Sequence, residues 1–364
     1  MKAEQPKNEA KSKKKVPKNP KKLINVNILD ILRKYTDSDH RLSQKNIADI
    51  LKKEYNMTVD RKSIKRNILS LIDFGYEINY STAKRTIIDK EGKPQQTVIY
   101  SDFYLERDFS DSELRLLIDG LLFSKNIPYS QCKELVEKIA GLSNQYFKSR
   151  VNYIATLPNS PSDNRQLFYT IEILDDAIFR GKQVAFCYNR FASDKKMHPT
   201  LDHDGKPKKY VVNPYQMAAA NGRYYLICNY DKYDDVANIR LDRITDIELL
   251  DTPAKSHKKV HGLENGLNLP KHMAEHLYMF AGSSIPVTFR AKKYIMNDLF
   301  DWFGNNMTFS DETEDEITVR VTVNERAMRH WALQYSLHIK VLTPESLAGQ
   351  IKADLQTALQ KYAE

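Results

Sequence analysis

Cysteine is scarce, and what there is cannot act together. Cys132, Cys187 and Cys228 are far apart, odd in number and form no CxxC pair. That argues against a disulfide framework and a four-thiolate zinc site, and favours buried small hydrophobes in a reducing compartment. Long apolar runs are missing as well. No run approaches the ~20 residues a membrane helix needs. The N-terminus has no apolar secretion core, so the chain is expected to be cytoplasmic with no membrane partner. The 12 glycines are scattered. They build no phosphate loop, and neither a G-x-S-x-G elbow nor a paired Cys/His nucleophile occurs. The expectation is a protein that is not an enzyme, with no catalytic residue and no cofactor.

What is present is a soluble composition, 41% hydrophobic and 28% charged over 364 residues. That length exceeds one ordinary core and predicts two to four domains. The charge is uneven. Residues 1–106 hold 23 Lys and Arg against 14 Asp and Glu, and the rest holds 33 of each, so the whole net charge of +9 sits in the first third. Such asymmetry points to a nucleic-acid-facing end. Residues 1–22 carry nine lysines and three prolines. This is the signature of a disordered basic tail, either a solvated leader or a grip on phosphates.

Residues 23–106 read as a winged helix-turn-helix. A helix over about 26–35 is apolar through Ile28, Leu29, Ile31 and Leu32. Ser43 caps a second helix whose buried stripe is Ile47, Ala48, Leu51 and Tyr55. Asp60 caps a third, "RKSIKRNILSLIDF", and Gly75 ends it in a left-handed turn. Its face of Ile64, Ile68, Leu71 and Ile72 lies opposite Lys62 and Arg66, with Arg61, Ser63, Lys65 and Asn67 nearby. A helix with short polar and basic groups on its open face suits a major groove. Two strand-like runs follow around "DKEGKP", forming a wing that offers Lys84, Arg85, Lys90 and Lys93 to phosphates. The predicted DNA-contacting set is Arg61, Lys62, Ser63, Lys65, Arg66, Asn67, Lys84 and Arg85.

Residues 107–160 read as a helical linker, "DSELRLLIDGLLFS" and "SQCKELVEKIAGLSNQYF". Leu114, Leu117, Ile118, Leu121 and Leu122 form one stripe, and Leu135, Val136, Ile139 and Leu142 another. They serve either dimerisation or packing within the chain. Readers of this kind usually sit as dimers on paired half-sites, which favours a homodimer. "TLPNSPSDNRQ" marks a boundary.

Residues 165–252 begin with a helix ended by Gly181, followed by a strand, "QVAFCYNRF". The run "YVVNPYQMAAANGRYYLICNY" is a hairpin turned at Asn221-Gly222 in the type I′ manner. Short strands at this spacing predict a small barrel. Alternation places Arg240 with Asn238 and Asp242, and Arg223 with Tyr225 and Ile227, so one face collects arginines and tyrosine hydroxyls. Guanidinium forks take phosphate or carboxylate, and aromatic rings stack on bases. The predicted ligand set is Tyr188, Arg190, Tyr210, Tyr215, Tyr225, Arg240 and Arg243. The competing account of the arginines is ion pairing, Arg240 or Arg243 with Asp242 or Asp246.

Two further motifs stand out. "HMAEH" at 272–276 has the H-x-x-E-H form of a zinc peptidase. It lacks a downstream glutamate ligand, so it reads as a surface helix and no metal is assigned. "DETEDE" at 311–316 reads as a solvated acidic turn between strands rather than a cation site.

The segment "VDRKSIKRNILSLIDFGYEI" resembles the recognition helix of DeoR-like winged helix-turn-helix regulators, with Asn67 where that family often has Asp. Around the hairpin the chain resembles the WYL-domain family of bacterial regulators. The namesake tripeptide stands as Tyr224-Tyr225-Leu226, the preceding proline is Pro214, and the closest match is "RLDRI" at 240–244. Tyr210 replaces the arginine usual four residues before that proline. The resemblance implies an α+β multidomain fold: winged helix-turn-helix, helical linker, Sm/SH3-like β-barrel (the WYL domain), a linker at 253–283, and an α/β C-terminal extension at 284–364 read as β-α-β-α-β-α. It also implies a transcription regulator, a repressor or autoregulator binding a double-stranded DNA operator. Its WYL domain would sense a small anionic or nucleic-acid effector in phage defence or DNA-damage control. The alternative is a non-enzymatic accessory protein that binds RNA or single-stranded DNA through the WYL domain and modulates a partner effector complex.

Overall fold

The structure is a computed structural model and describes residues 20–88, 94–124, 127–151 and 164–362. The basic tail up to residue 19, residues 89–93 of the wing turn with Lys90 and Lys93, and residues 156–163 of the boundary loop lie outside the described residues. The chain divides into two compact units. One is Met1–Leu122 with Cys132–Pro158, and the other is Phe123–Gln131 with Asn159–Glu364.

In the first unit three helices precede an antiparallel hairpin: α1 (Ile24–Tyr35), α2 (Gln44–Tyr55), α3 (Arg61–Phe74), β1 (Ile78–Ile88) and β2 (Pro94–Leu105). The predicted signals act as read. Ser43 accepts the Asn46 N–H in a capping box. Asp60 Oδ1 accepts the Ser63 N–H at 2.9 Å. Gly75 ends α3 with φ 115°, a conformation open to glycine. Ile28, Ile31 and Leu32 of α1 meet Ile47, Leu51, Ile64 and Ile68, and Phe103 and Leu105 of β2 seal this core from below.

Among its described residues the linker holds three helices, α4 (Asp111–Phe123), α5 (Tyr129–Ala140) and α6 (Gln145–Val151). The sequence reading had one helix across α5 and α6. The break comes at Gly141, and Asn144 Oδ1 then caps α6 by accepting the Tyr146 and Phe147 N–H groups, each at 2.9 Å. Only part of the predicted stripe is buried. Leu114 and Ile118 pack with Ala140 and Phe147, while Leu117 and Leu142 stay exposed. Asn144 also donates to Asp37 at 2.5 Å, and the Tyr146 ring stacks on His40 at 3.6 Å, which fixes α6 to the turn after α1.

Among the described residues the second unit contains two sheets. The first is built from β3 (Lys182–Phe191), β4 (Met197–Pro199), β5 (Lys209–Ala220), β6 (Arg223–Tyr230), β7 (Val236–Arg240) and β8 (Ile244–Pro253). Its order is β4-β3-β5-β6-β7, with β8 also on β3, and all pairs are antiparallel. α7 (Leu167–Arg180) covers one face, laying Leu174 and Ala177 against Phe186, Leu226, Leu241 and Ile244. The predicted barrel is not closed. A buried 3-10 turn, Leu241–Arg243, carries the chain from the β6 edge to the β3 edge, and β7 and β8 share no ladder.

After α8 (Leu269–Glu275) comes a second sheet, order β10-β11-β9-β12, from β9 (Ser284–Lys292), β10 (Met307–Ser310), β11 (Glu316–Asn324) and β12 (Ile339–Thr343). α9 (Met296–Phe303), α10 (Glu325–Gln334) and α11 (Glu345–Gln360) complete it, around a core centred on Phe289, Phe303 and Trp331. The expected β-α-β-α-β-α lacked one element. Strand β10, only four residues long, pairs with β11, and residues 311–315 of the acidic run form the turn between them. Pro344 stands directly before α11.

Candidate ligand cavity and nucleic-acid face

The cavity begins with register. Asn221 and Gly222 both take positive φ, 52° and 70°, the signature of a type I′ turn, and return the chain into β6. Tyr225 then faces Arg240 across β6 and β7, and Ile227 faces Asn238. Arg223, Tyr225, Asn238 and Arg240 therefore share one face, while Leu226, Cys228 and Ile239 enter the core on the other.

A cavity of about 580 Å³ lies on that face. Tyr188, Asn221 and Arg243 also line it, and Tyr278, Met279, Phe280 and Trp302 supply an aromatic and thioether wall. The wall is held in place by its own contacts. Tyr278 and Trp302 rings lie 5.3 Å apart, Trp302 Nε1 donates to the Tyr335 hydroxyl at 3.1 Å, and Arg326 sits 4.7 Å over Phe280. Asn221 Nδ2 donates to the Leu277 carbonyl at 2.7 Å and ties the hairpin turn to this wall.

The three arginines are not equivalent. Arg240 grips Asp242 with two bonds, Nε to Oδ1 at 3.0 Å and Nη2 to Oδ2 at 2.6 Å, and Asp242 is only 1% exposed. For Arg240 the ion-pair account is the observed one. Burial opposes its charge, yet the hydrogen bonds and Coulomb attraction of Asp242 hold its pKa above the ordinary value. Arg243 lies close enough to Tyr188 to act on its phenol, and among the described residues its Nε is buried without a partner. Arg223 Nε is likewise buried and, among the described residues, unpaired. Burial raises the Tyr188 phenol against the opposing pull of Arg243 and Arg240, so this hydroxyl keeps its proton. Two guanidinium groups with unspent donors beside aromatic faces can bind an anion attached to a flat ring.

Four predicted ligand residues, Tyr188, Tyr225, Arg240 and Arg243, line this cavity, and three do not. Arg190 is exposed at the end of β3. Tyr210 joins an aromatic cluster with Phe186, Tyr188 and Tyr230. Tyr215 sits at a register shift between Pro214 and Gln216, which breaks the alternation, and its hydroxyl donates to the Lys255 carbonyl at 2.9 Å. The wall at 278–280 went unread because "LYMF" lay in a segment taken as linker. The clustered aromatics beside Gly282 were its signal.

The "HMAEH" segment corrects one expectation. It is no surface helix: His272 and His276 are each 8% exposed, their rings stacked at 4.0 Å. His272 Nε2 meets Asn238 Oδ1 at 3.1 Å, and His276 Nδ1 meets the His272 carbonyl at 2.9 Å. Among the described residues no group of three His, Cys, Asp or Glu is placed to hold a metal ion. Burial, helped by the neighbouring His276, lowers the His272 pKa from 6.5 to about 3. The folded chain therefore keeps His272 neutral, while the unfolded chain takes up a proton below about 6.5. Stability is complete above that value and falls as pH drops toward 3, by about 2 kcal/mol near pH 5. Melting curves near pH 7.5 and pH 5 will show this loss, and His272→Gln will narrow the gap between them.

In the first unit, α3 leaves Arg61, Lys62 and Arg66 exposed, and among the described residues none of their side chains has a hydrogen-bond or ion-pair partner. Lys84 and Arg85 are exposed on β1. The other three predicted contacts are partly engaged. Ser63 is half-buried, Asn67 Nδ2 donates to the Ser63 carbonyl at 2.6 Å, and Lys65 lies 3.8 Å over the Tyr100 ring.

Comparison with known families assigns the class of the central sheet: residues 169–249 match the WYL domain, which is therefore present in this chain. No curated protein matches. Among solved structures the chain is similar to proteasome accessory factor B/C (PafBC) of Arthrobacter aurescens, at 16% identity and a TM-score of 0.28. That match covers 100% of this chain and 52% of the other, so this chain spans about half the length of that relative. It is also similar to a CRISPR Cas-related protein, at 12% identity and a TM-score of 0.36, over 94% of this chain and 84% of that one. Among the described residues no helix is long and apolar enough to cross a membrane.

Proposed function

We propose that this chain is a ligand-responsive regulator that binds duplex DNA through a winged helix-turn-helix and senses a nucleotide-like anion in its WYL domain. The observation that carries the sensing half is the pair of buried, unpartnered guanidinium nitrogens on Arg223 and Arg243 beside Tyr278, Phe280 and Trp302. A buried donor without an acceptor costs about 1–3 kcal/mol, and an anion toward which the guanidinium turns relieves it. The DNA half is supported by the exposed cations of α3 and β1 and by the excess positive charge of residues 1–106. In this reading the protein works as a cytoplasmic homodimer on paired half-sites, as a repressor or autoregulator, and performs no reaction itself. The effector changes DNA affinity only as far as it distinguishes the bound from the free arrangement.

The test is a salt-dependent binding assay on duplex DNA from upstream of the protein's own coding region, with and without short oligonucleotides and mononucleotides. Affinity for duplex falls steeply with salt and shifts when effector is added. Arg243→Ala and Arg223→Ala each lower effector affinity about tenfold or more and leave duplex binding intact. Tight binding of single strands with no grip on duplex supports the accessory reading instead.

A further inference from the structure

Among the neutral polar side chains of the cavity wall, Asn238 is one whose amide orientation the structure fixes. A carbonyl oxygen only accepts, so the amide end beside the Phe280 carbonyl, at 3.5 Å, is the nitrogen. Asn238 Oδ1 must then face His272 Nε2, at 3.1 Å, and that nitrogen must carry the hydrogen. His272 is itself located by α8 and by His276, which stacks on its ring and donates to its carbonyl. The amide oxygen of Asn238 is thus held by His272. Its nitrogen, held only by one long contact, is the end left for the cavity.

We propose that Asn238, oriented by His272, is a specificity-determining residue of this cavity: it presents N–H, not C=O, and selects ligands whose ring edge offers a carbonyl oxygen. This rests on the reading of the cavity as a nucleotide site. Arg223 and Arg243 take the anion and the aromatic wall takes the ring face, and neither distinguishes one base from another. Asn238 does. A ring amino group in the same place sets donor against donor and leaves both without an acceptor. Uracil or hypoxanthine is therefore preferred over its amino counterpart, cytosine or adenine. His272 is a positioning residue, since it reaches the ligand only through Asn238.

The experiment uses the full chain and two matched pairs of 5′-monophosphates, uridine against cytidine and inosine against adenosine, measured by calorimetry. Wild-type protein prefers the carbonyl member of at least one pair by about tenfold. Asn238→Ala brings that ratio to near one. His272→Phe, which keeps the ring shape but frees the amide, does the same while the weaker of the two affinities changes little. His272→Gln, whose amide N–H can still reach Asn238 Oδ1, restores the preference. A merely structural His272 would lower all four affinities together and leave the ratio intact. Equal wild-type binding within both pairs, or a ratio that survives Asn238→Ala, overturns the inference and leaves the nucleotide site standing. Binding of none of the four overturns the nucleotide reading, and the inference with it.

Discussion

Arg240→Ala will destabilise the second unit by roughly 3–5 kcal/mol. Asp242 is almost wholly buried, and both of its oxygens are held by the Arg240 guanidinium. Removing the arginine leaves that carboxylate with its charge and no counter-charge in the 3-10 turn that joins β7 to β8. The melting temperature will drop by several degrees, and urea unfolding will shift to lower midpoint. The double change Arg240→Ala with Asp242→Ala will recover a large part of the loss, because the expensive species is the orphaned charge rather than the missing contact. A single mutant as stable as wild type would show that the buried Asp242 carboxylate does not depend on Arg240. Loss of effector response in Arg240→Ala is therefore not evidence of ligand contact, whereas the same loss in Arg243→Ala at unchanged melting temperature is.

Changing Arg61, Lys62 and Arg66 together to alanine will weaken duplex binding by about a thousandfold, at about 1–3 kcal/mol for each contact. All three side chains are exposed on α3, so the triple mutant keeps its melting temperature. The slope of log affinity against log salt will become shallower by up to about 2–3, because fewer counterions are displaced. Mononucleotide affinity will not change. If duplex affinity stays within a few-fold of wild type, α3 is not the DNA-reading helix and the positive charge of the first third serves something else.

Much of this protein was legible before its structure. Ser43, Asp60, Gly75 and Gly181 mark helix ends by local chemistry, and local chemistry is what a sequence displays directly. Asn221-Gly222 fixed a hairpin, and alternation through it put Tyr225 and Arg240 on one face. The failures have a common origin. Tyr215 was misplaced because a bulge at Pro214–Gln216 shifts the count by one, and a bulge has no strong sequence mark. The barrel stayed open because closure depends on whether β7 and β8 pair, a long-range question that alternation does not address. His272 and His276 looked like surface polar residues until α8 packed against the sheet. The aromatic wall at 278–280 and Trp302 comes from parts of the chain 38 or more residues beyond Arg240, so only tertiary structure brings it to the arginines. The partnered state of Arg240 against the unspent nitrogens of Arg223 and Arg243 is also invisible in sequence, since all three are the same letter.

Hairpin tips are ordinarily the safest places to attach a fluorophore or splice in a foreign peptide. The tip at Asn221–Gly222 is an exception. One side chain there both accepts the left-handed backbone of the bend and reaches across to the Leu277 carbonyl. A label or insertion at that point detaches the aromatic flank from the arginine-bearing strands even when every strand still forms. Reporters of effector occupancy belong elsewhere, on the exposed β3–β4 bend near Lys195, which takes no part in lining the pocket.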